Sequence, residues 1–150
     1  MKSTLENRSR SMTTQVTYLA ATLSLVDGII HLWVLQEHFE EWWGYGAFFL
    51  VLAIFEGLYA VALLNRPGRL LFILGMVVRI SVMILYLVTR TAGVPPIGPH
   101  AGHVEEVALV DLIAMTANIA LIVALTGLLL PWHSPERGSK SQLVKDRVNS

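Results

Sequence analysis

The sequence predicts an all-α integral membrane protein, an up-and-down bundle of four transmembrane helices, and three observations point that way. Hydrophobic residues make up 54% of the 150-residue chain and charged residues only 15%, where soluble proteins carry about 25% charge. The apolar residues gather into four runs, each long enough for a hydrocarbon core of about 30 Å that roughly 20 helical residues span. Those runs are apolar nearly all round, whereas a helix on the surface of a soluble domain keeps one polar face.

Taken in order, residues 1–15 read as a polar tail and the first span runs from about Val16 to Leu35. A cleaved signal sequence is the competing reading of that run. Its apolar region would be shorter, roughly 7–15 residues, and would end at a small-residue cleavage site; this run is longer, holds Asp27 and has no such site. The second span covers about Tyr45 to Leu64 and stops at Asn65-Arg66-Pro67-Gly68-Arg69, since Pro and Gly break helices and arginines resist burial. The third covers about Leu70 to Val88, ahead of the breaker-rich Gly93-Val94-Pro95-Pro96-Ile97-Gly98-Pro99. The fourth covers about Val107 to Leu130, closed by Pro131, and 131–150 form a second polar tail.

Charge predicts the orientation. Lys2, Arg8 and Arg10 precede span one, Arg66 and Arg69 separate spans two and three, and Arg137, Lys140, Lys145 and Arg147 follow span four. The other two connections carry Glu37, Glu40, Glu41, Glu105 and Glu106, with Arg90 the lone base. Basic connections stay in the cytoplasm, so both termini are expected there, in a multi-pass protein of the cell membrane. Trp33, Trp42, Trp43, Tyr45 and Tyr86 then fall at the outer interface, the level that amphipathic rings prefer.

Several function classes drop out. A net charge of zero offers nucleic acid no basic surface. The lack of cysteine removes disulfides, thiolate nucleophiles and iron–sulfur ligation. No phosphate-binding glycine loop, nucleophile elbow or catalytic triad spacing appears, so an enzyme is not the leading expectation.

Two features carry chemistry. His-x-Glu-Glu occurs twice, as His38-Phe39-Glu40-Glu41 before span two and His103-Val104-Glu105-Glu106 before span four. If the helices begin early enough, His38 and Glu41 share a face, as do His103 and Glu106. With His31 at the end of span one, these five residues are the expected ligands of a divalent metal, zinc or copper, on the outer face. Glu37, His100 and Asp111 are secondary ligands in this reading. The carboxylates would otherwise act as helix caps on a solvated surface. Haem is not expected, because every histidine lies near the outer interface or in the tail.

The second feature lies inside the membrane. Asp27, Glu56, Arg79 and Asn118 fall near the middle of their spans. A charge at the bilayer centre costs roughly 2.5–3.5 kcal/mol even on lenient scales, so these side chains should face one another. Arg79 is expected to pair with Asp27 or Glu56. The remaining carboxyl, in its protonated form, would donate to Asn118. Ser24, Asp27 and His31 share a face and could relay protons or admit a cation; a network that only fixes helix register is the bland reading. Gly28, Gly57 and Gly75 read as close-packing points between helices.

The run Glu37-His38-Phe39-Glu40-Glu41-Trp42-Trp43-Gly44-Tyr45-Gly46-Ala47-Phe48-Phe49 resembles a motif of small, uncharacterised four-span bacterial membrane proteins. Arg90-Thr91-Ala92-Gly93-Val94-Pro95, followed by Gly98-Pro99, is similar too, so the likeness covers roughly His31 to Asp111. His100 and His103 depart from it, acidic or small residues being expected there. The resemblance implies the four-span topology and a bacterial inner membrane, and brings no activity.

Three functions remain open at this point. The leading one is an outward-facing metal binder. The others are an accessory subunit of a larger membrane complex or a homo-oligomer, and a small proton- or ion-coupled transporter built on Asp27, Glu56 and Arg79.

Overall fold

The structure, a computed structural model, describes residues 2–93 and 98–130, and only the backbone at 2–6 and 8–10. Among the described residues it is wholly helical, with α1 Lys2–Glu41, α2 Trp43–Asn65, α3 Arg69–Thr91 and α4 Leu109–Leu129. All four are long and apolar enough to cross a membrane, and the chain is a multi-pass integral membrane protein. The expected tail at 131–150 lies outside the described residues.

The helix ends follow the helix breakers, not the charges. Residues 2–15 contain neither Pro nor Gly, so nothing separates them from the first span. The helix runs straight through this segment, and its 40 residues reach about 60 Å. At its other end α1 continues past the expected stop through Glu37, His38, Glu40 and Glu41. The reversal into α2 then takes a single extended residue, Trp42. Its N–H donates to the His38 carbonyl at 3.0 Å, and its own carbonyl accepts from Tyr45 and Gly46 at 3.0 and 3.2 Å.

So abrupt a turn needs two positions without side chains. A Cβ on Gly44 would lie 2.1 Å from the Trp42 indole, and one on Gly46 only 2.2 Å from Phe39 Cγ. Phe39 Cγ sits next to its own backbone and has little room to yield. Gly46→Ala is therefore expected to destabilise the fold by about 1–3 kcal/mol, the usual cost of overpacking, measurable by unfolding in mixed micelles.

The α3–α4 connection bends at Gly93, Gly98 and Gly102, with φ of +97°, +100° and +79°, a region open to glycine at no steric cost. It lies over the α1–α2 reversal, the Gly98 position abutting Tyr45 and Trp42. Both connections therefore share one face, here the hairpin face. The start of α1, the α2–α3 turn and the end of α4 share the other.

Packing is the reverse of a soluble protein. Large apolar side chains point outward, among them Trp33 at 82% exposure and Leu70 at 81%. The interior holds small residues (Ala20, Ala53, Ala60, Ala114, Ala117) and the polar Thr17, Ser24, Asp27, His31, Glu56, Arg79 and Asn118. Close backbone approach and internally paired polar groups are how helices associate in lipid, where apolar burial provides no drive. The half of the bundle away from the hairpin face closes in an apolar cluster around Leu63, Phe72, Leu121 and Leu125. Gly75 of α3 lodges there against the Tyr59 hydroxyl of α2, which donates to the Leu71 carbonyl at 3.2 Å. Of the three expected packing glycines, Gly28 and Gly75 meet a neighbouring helix, while Gly57 faces open space.

Candidate functional site: a charge cluster inside the bundle

Each helix sends one or two polar side chains to a common point. From α1 come Ser24 and Asp27, from α2 Glu56, from α3 Arg79 and from α4 Asn118, all at 0–1% exposure. Arg79 is the largest fully buried side chain among the described residues. The structure thus brings together the four mid-membrane residues singled out in the sequence.

Arg79 is the hub. Both its Nη groups donate to the Glu56 carboxylate as a fork, the bidentate geometry that suits guanidinium and carboxylate. Nη1 also donates to Asp27 Oδ2 at 2.9 Å, so Arg79 takes both carboxylates and not one. Ser24 Oγ donates to Glu56 Oε2 at 2.6 Å and stands 3.0 Å from the Glu56 carbonyl. The Asn118 amide donates to the two Asp27 oxygens at 3.4 and 3.3 Å and to the Ala114 carbonyl at 3.0 Å. Tyr59 lies under the guanidinium, its ring centre 5.9 Å from Cζ. Two carboxylates facing one guanidinium leave one negative charge unbalanced when both are ionised.

The cluster is asymmetric across the bundle. Below it stand Tyr59 and the apolar layer of Leu63 and Phe72. Above it, on α1, His31 is 6% exposed and its Nε2 lies 3.7 Å from Asp27 Oδ2. Beyond His31 the Phe49 ring of α2 sits edge-on at 5.6 Å and 65°. The other side of Phe49 meets His38, stacked at 4.0 Å and 8°. His38 in turn reaches Glu41 at 3.2 Å near the surface.

The expected metal ligands do not converge. Only the i, i+3 pair His38 and Glu41 is together, and it lies on the end of α1 and not on the start of α2. His31 is one of the cluster's neighbours, and both it and His38 contact the Phe49 ring. His103 precedes α4, which begins only at Leu109, so His103 and Glu106 do not share a helical face. His103 instead lies beside His100, ring centres 6.4 Å apart, and Glu37 and Glu106 are exposed. Asp111 accepts the Ala108 N–H at 3.0 Å as a helix cap and binds Arg90 at 2.6 Å. Among the described residues, no three His, Asp or Glu side chains are placed to hold a metal ion. The second His-x-Glu-Glu copy is loop where the first is helix, so the two are not structurally equivalent.

Arg90 is the residue whose role spacing did not reveal. It joins Glu105 and Asp111 and lies 5.0 Å over the Tyr86 ring, tying the end of α3 to the start of α4. Phe49 stands in the resembling run, but nothing in the sequence marks its contact with two histidines. No family model, curated protein or solved structure matches the chain.

Proposed function

We propose that this membrane protein is a proton-coupled device whose titrating centre is the Asp27–Glu56–Arg79 cluster. One observation carries the reading: two fully buried carboxylates share one guanidinium, with a histidine beside one of them on a single side. A lone excess charge at mid-membrane is costly, and uptake of one proton removes it. The carboxyl that takes the proton becomes a hydrogen-bond donor to neighbouring oxygen acceptors such as that of Asn118.

Access is one-sided in this reading. His31 offers a path from the hairpin face, whereas Tyr59, Leu63 and Phe72 close the other side. With the basic connections in the cytoplasm, the hairpin face is the outer one, so the centre loads from outside. Release to the cytoplasm would require the apolar layer to part, the alternating step a transporter needs. The zinc or copper reading finds no support in the placement of its ligands and is not carried forward.

The test is proton uptake by the protein in lipid nanodiscs after a downward pH jump, read with an indicator dye, together with the infrared carbonyl band of a protonated carboxyl. The wild type is expected to bind about one proton per chain at this site, and Asp27→Asn and Glu56→Gln each to abolish that uptake. Both replacements keep the shape of the side chain and leave Arg79 one carboxylate, so the fold should persist. Equal uptake in all three proteins would reduce the cluster to a network fixing helix register, as an accessory subunit would need.

A further inference from the structure

His31 and His38 lie on the same face of α1, two turns and about 10 Å apart along the axis. One ring, Phe49 of α2, touches both imidazoles, stacked on His38 and edge-on to His31. His38 is the surface member, its side chain 25% exposed, while that of His31 is 7% exposed. Exposure thus falls from His38 to His31 to Asp27 along one line, interrupted only by a side chain that carries no proton.

We infer that His38 collects protons for the buried centre and that Phe49 is the gate between His38 and His31. This inference rests on the proposed proton-binding role of the Asp27 cluster and names how that cluster is reached. The step is a plain relay. Hydronium or a buffer acid protonates His38, and Glu41 at 3.2 Å stabilises the imidazolium. When Phe49 swings aside, a water bridge carries the proton to His31. His31 then passes a proton from Nε2 to Asp27 Oδ2 and returns to its neutral form, the 3.7 Å gap closing by roughly 0.5–1 Å to hydrogen-bond distance.

His31 faces Asp27 on its own helix and lies within reach of His38 on the same helix, Glu56 from α2 and Arg79 from α3, while the Asn118 amide of α4 meets Asp27. A closed Phe49 ring keeps water out of the line, so the gate sets the rate of loading and the cluster sets its extent.

The experiment follows the rate of uptake after the same pH jump, with the full chain in nanodiscs. His38→Ala is expected to slow uptake by about a hundredfold, the low end of what a positioned proton-transfer group contributes. Added imidazole should restore the rate by acting as a diffusible substitute. Phe49→Ala should speed uptake and make it insensitive to the His38→Ala change, and Phe49→Leu, which keeps apolar bulk without the ring stack, should fall between.

Wild-type uptake with unaltered rates in the His38 and Phe49 variants would overturn the gated path while leaving the centre in place. Slowing by His38→Ala that imidazole does not relieve would overturn His38 as the collector. Absence of uptake in the wild type would overturn the centre itself, and the path with it.

Discussion

Replacing Arg79 with methionine is expected to destabilise the protein by roughly 3–5 kcal/mol, the cost of stripping buried charges of their partner. Methionine keeps the apolar stem of arginine but ends short of the guanidinium, so a small cavity adds to the electrostatic loss. What is lost is the fork to Glu56 and the 2.9 Å bond to Asp27. Two carboxylates would then remain at 0–1% exposure with the Ser24 hydroxyl, the Asn118 amide and the nearby His31 imidazole in place of a fixed counter-ion. The diagnostic variant is the triple replacement Asp27→Asn, Glu56→Gln, Arg79→Met, which removes every charge at once. It is expected to recover most of the loss, because neutral polar groups inside a bundle need hydrogen bonds and not counter-ions. Reversible unfolding in mixed micelles gives both numbers. Stability of the single variant equal to wild type would show that the arginine contributes nothing net.

The second large effect is steric. A Cβ at position 75 would fall 2.0 Å from the Tyr59 hydroxyl oxygen and 2.4 Å from its Cζ. Gly75→Ala is therefore expected to push α3 away from α2 and to destabilise the fold by about 1–3 kcal/mol. Arg79 stands one turn further along α3, so the same displacement should disturb its fork and slow or abolish proton uptake. Tyr59→Phe removes the closest atom but keeps the ring, so the Gly75→Ala, Tyr59→Phe pair should recover part of the loss. A double-mutant cycle checks this. Strictly additive losses would mean that the two residues do not meet.

The bundle and its charge cluster were legible in the sequence for one physical reason: hydrocarbon punishes both unpaired charge and interrupted helix. Four long apolar runs therefore announce four spans, and Asp27, Glu56, Arg79 and Asn118 had to meet because none could face lipid. The helix ends were less legible. Glu37, Glu40 and Glu41 read as a connection because they are charged, but charge does not end a helix. The reversal falls at Trp42, where Gly44 and Gly46 in the first turn of α2 leave room for the Trp42 and Phe39 rings. The outer metal site depended on an early start to α4, which begins only at Leu109 after the glycine bends of its connection. The part played by Phe49, which closes the resembling run, was hidden for a different reason. An aromatic residue in an apolar span says nothing about which rings it separates; only the stack on His38 and the edge contact with His31 do.

The depth of the cluster, combined with its one-sided approach, has an electrical consequence. A charge crossing the whole membrane works against roughly 2.3 kcal/mol per 100 mV. A proton that travels from the hairpin face and halts at mid-bundle crosses about half of that field, roughly 1 kcal/mol per 100 mV. On the proposed reading, occupancy of the Asp27–Glu56 pair then follows the membrane potential as well as acidity. A cytoplasm held negative draws the proton inward, so an energised cell fills the site at a higher external pH than a depolarised one. On the same reading the apolar layer of Leu63, Phe72, Leu121 and Leu125 is the insulator, across which the rest of the voltage falls while it stays closed.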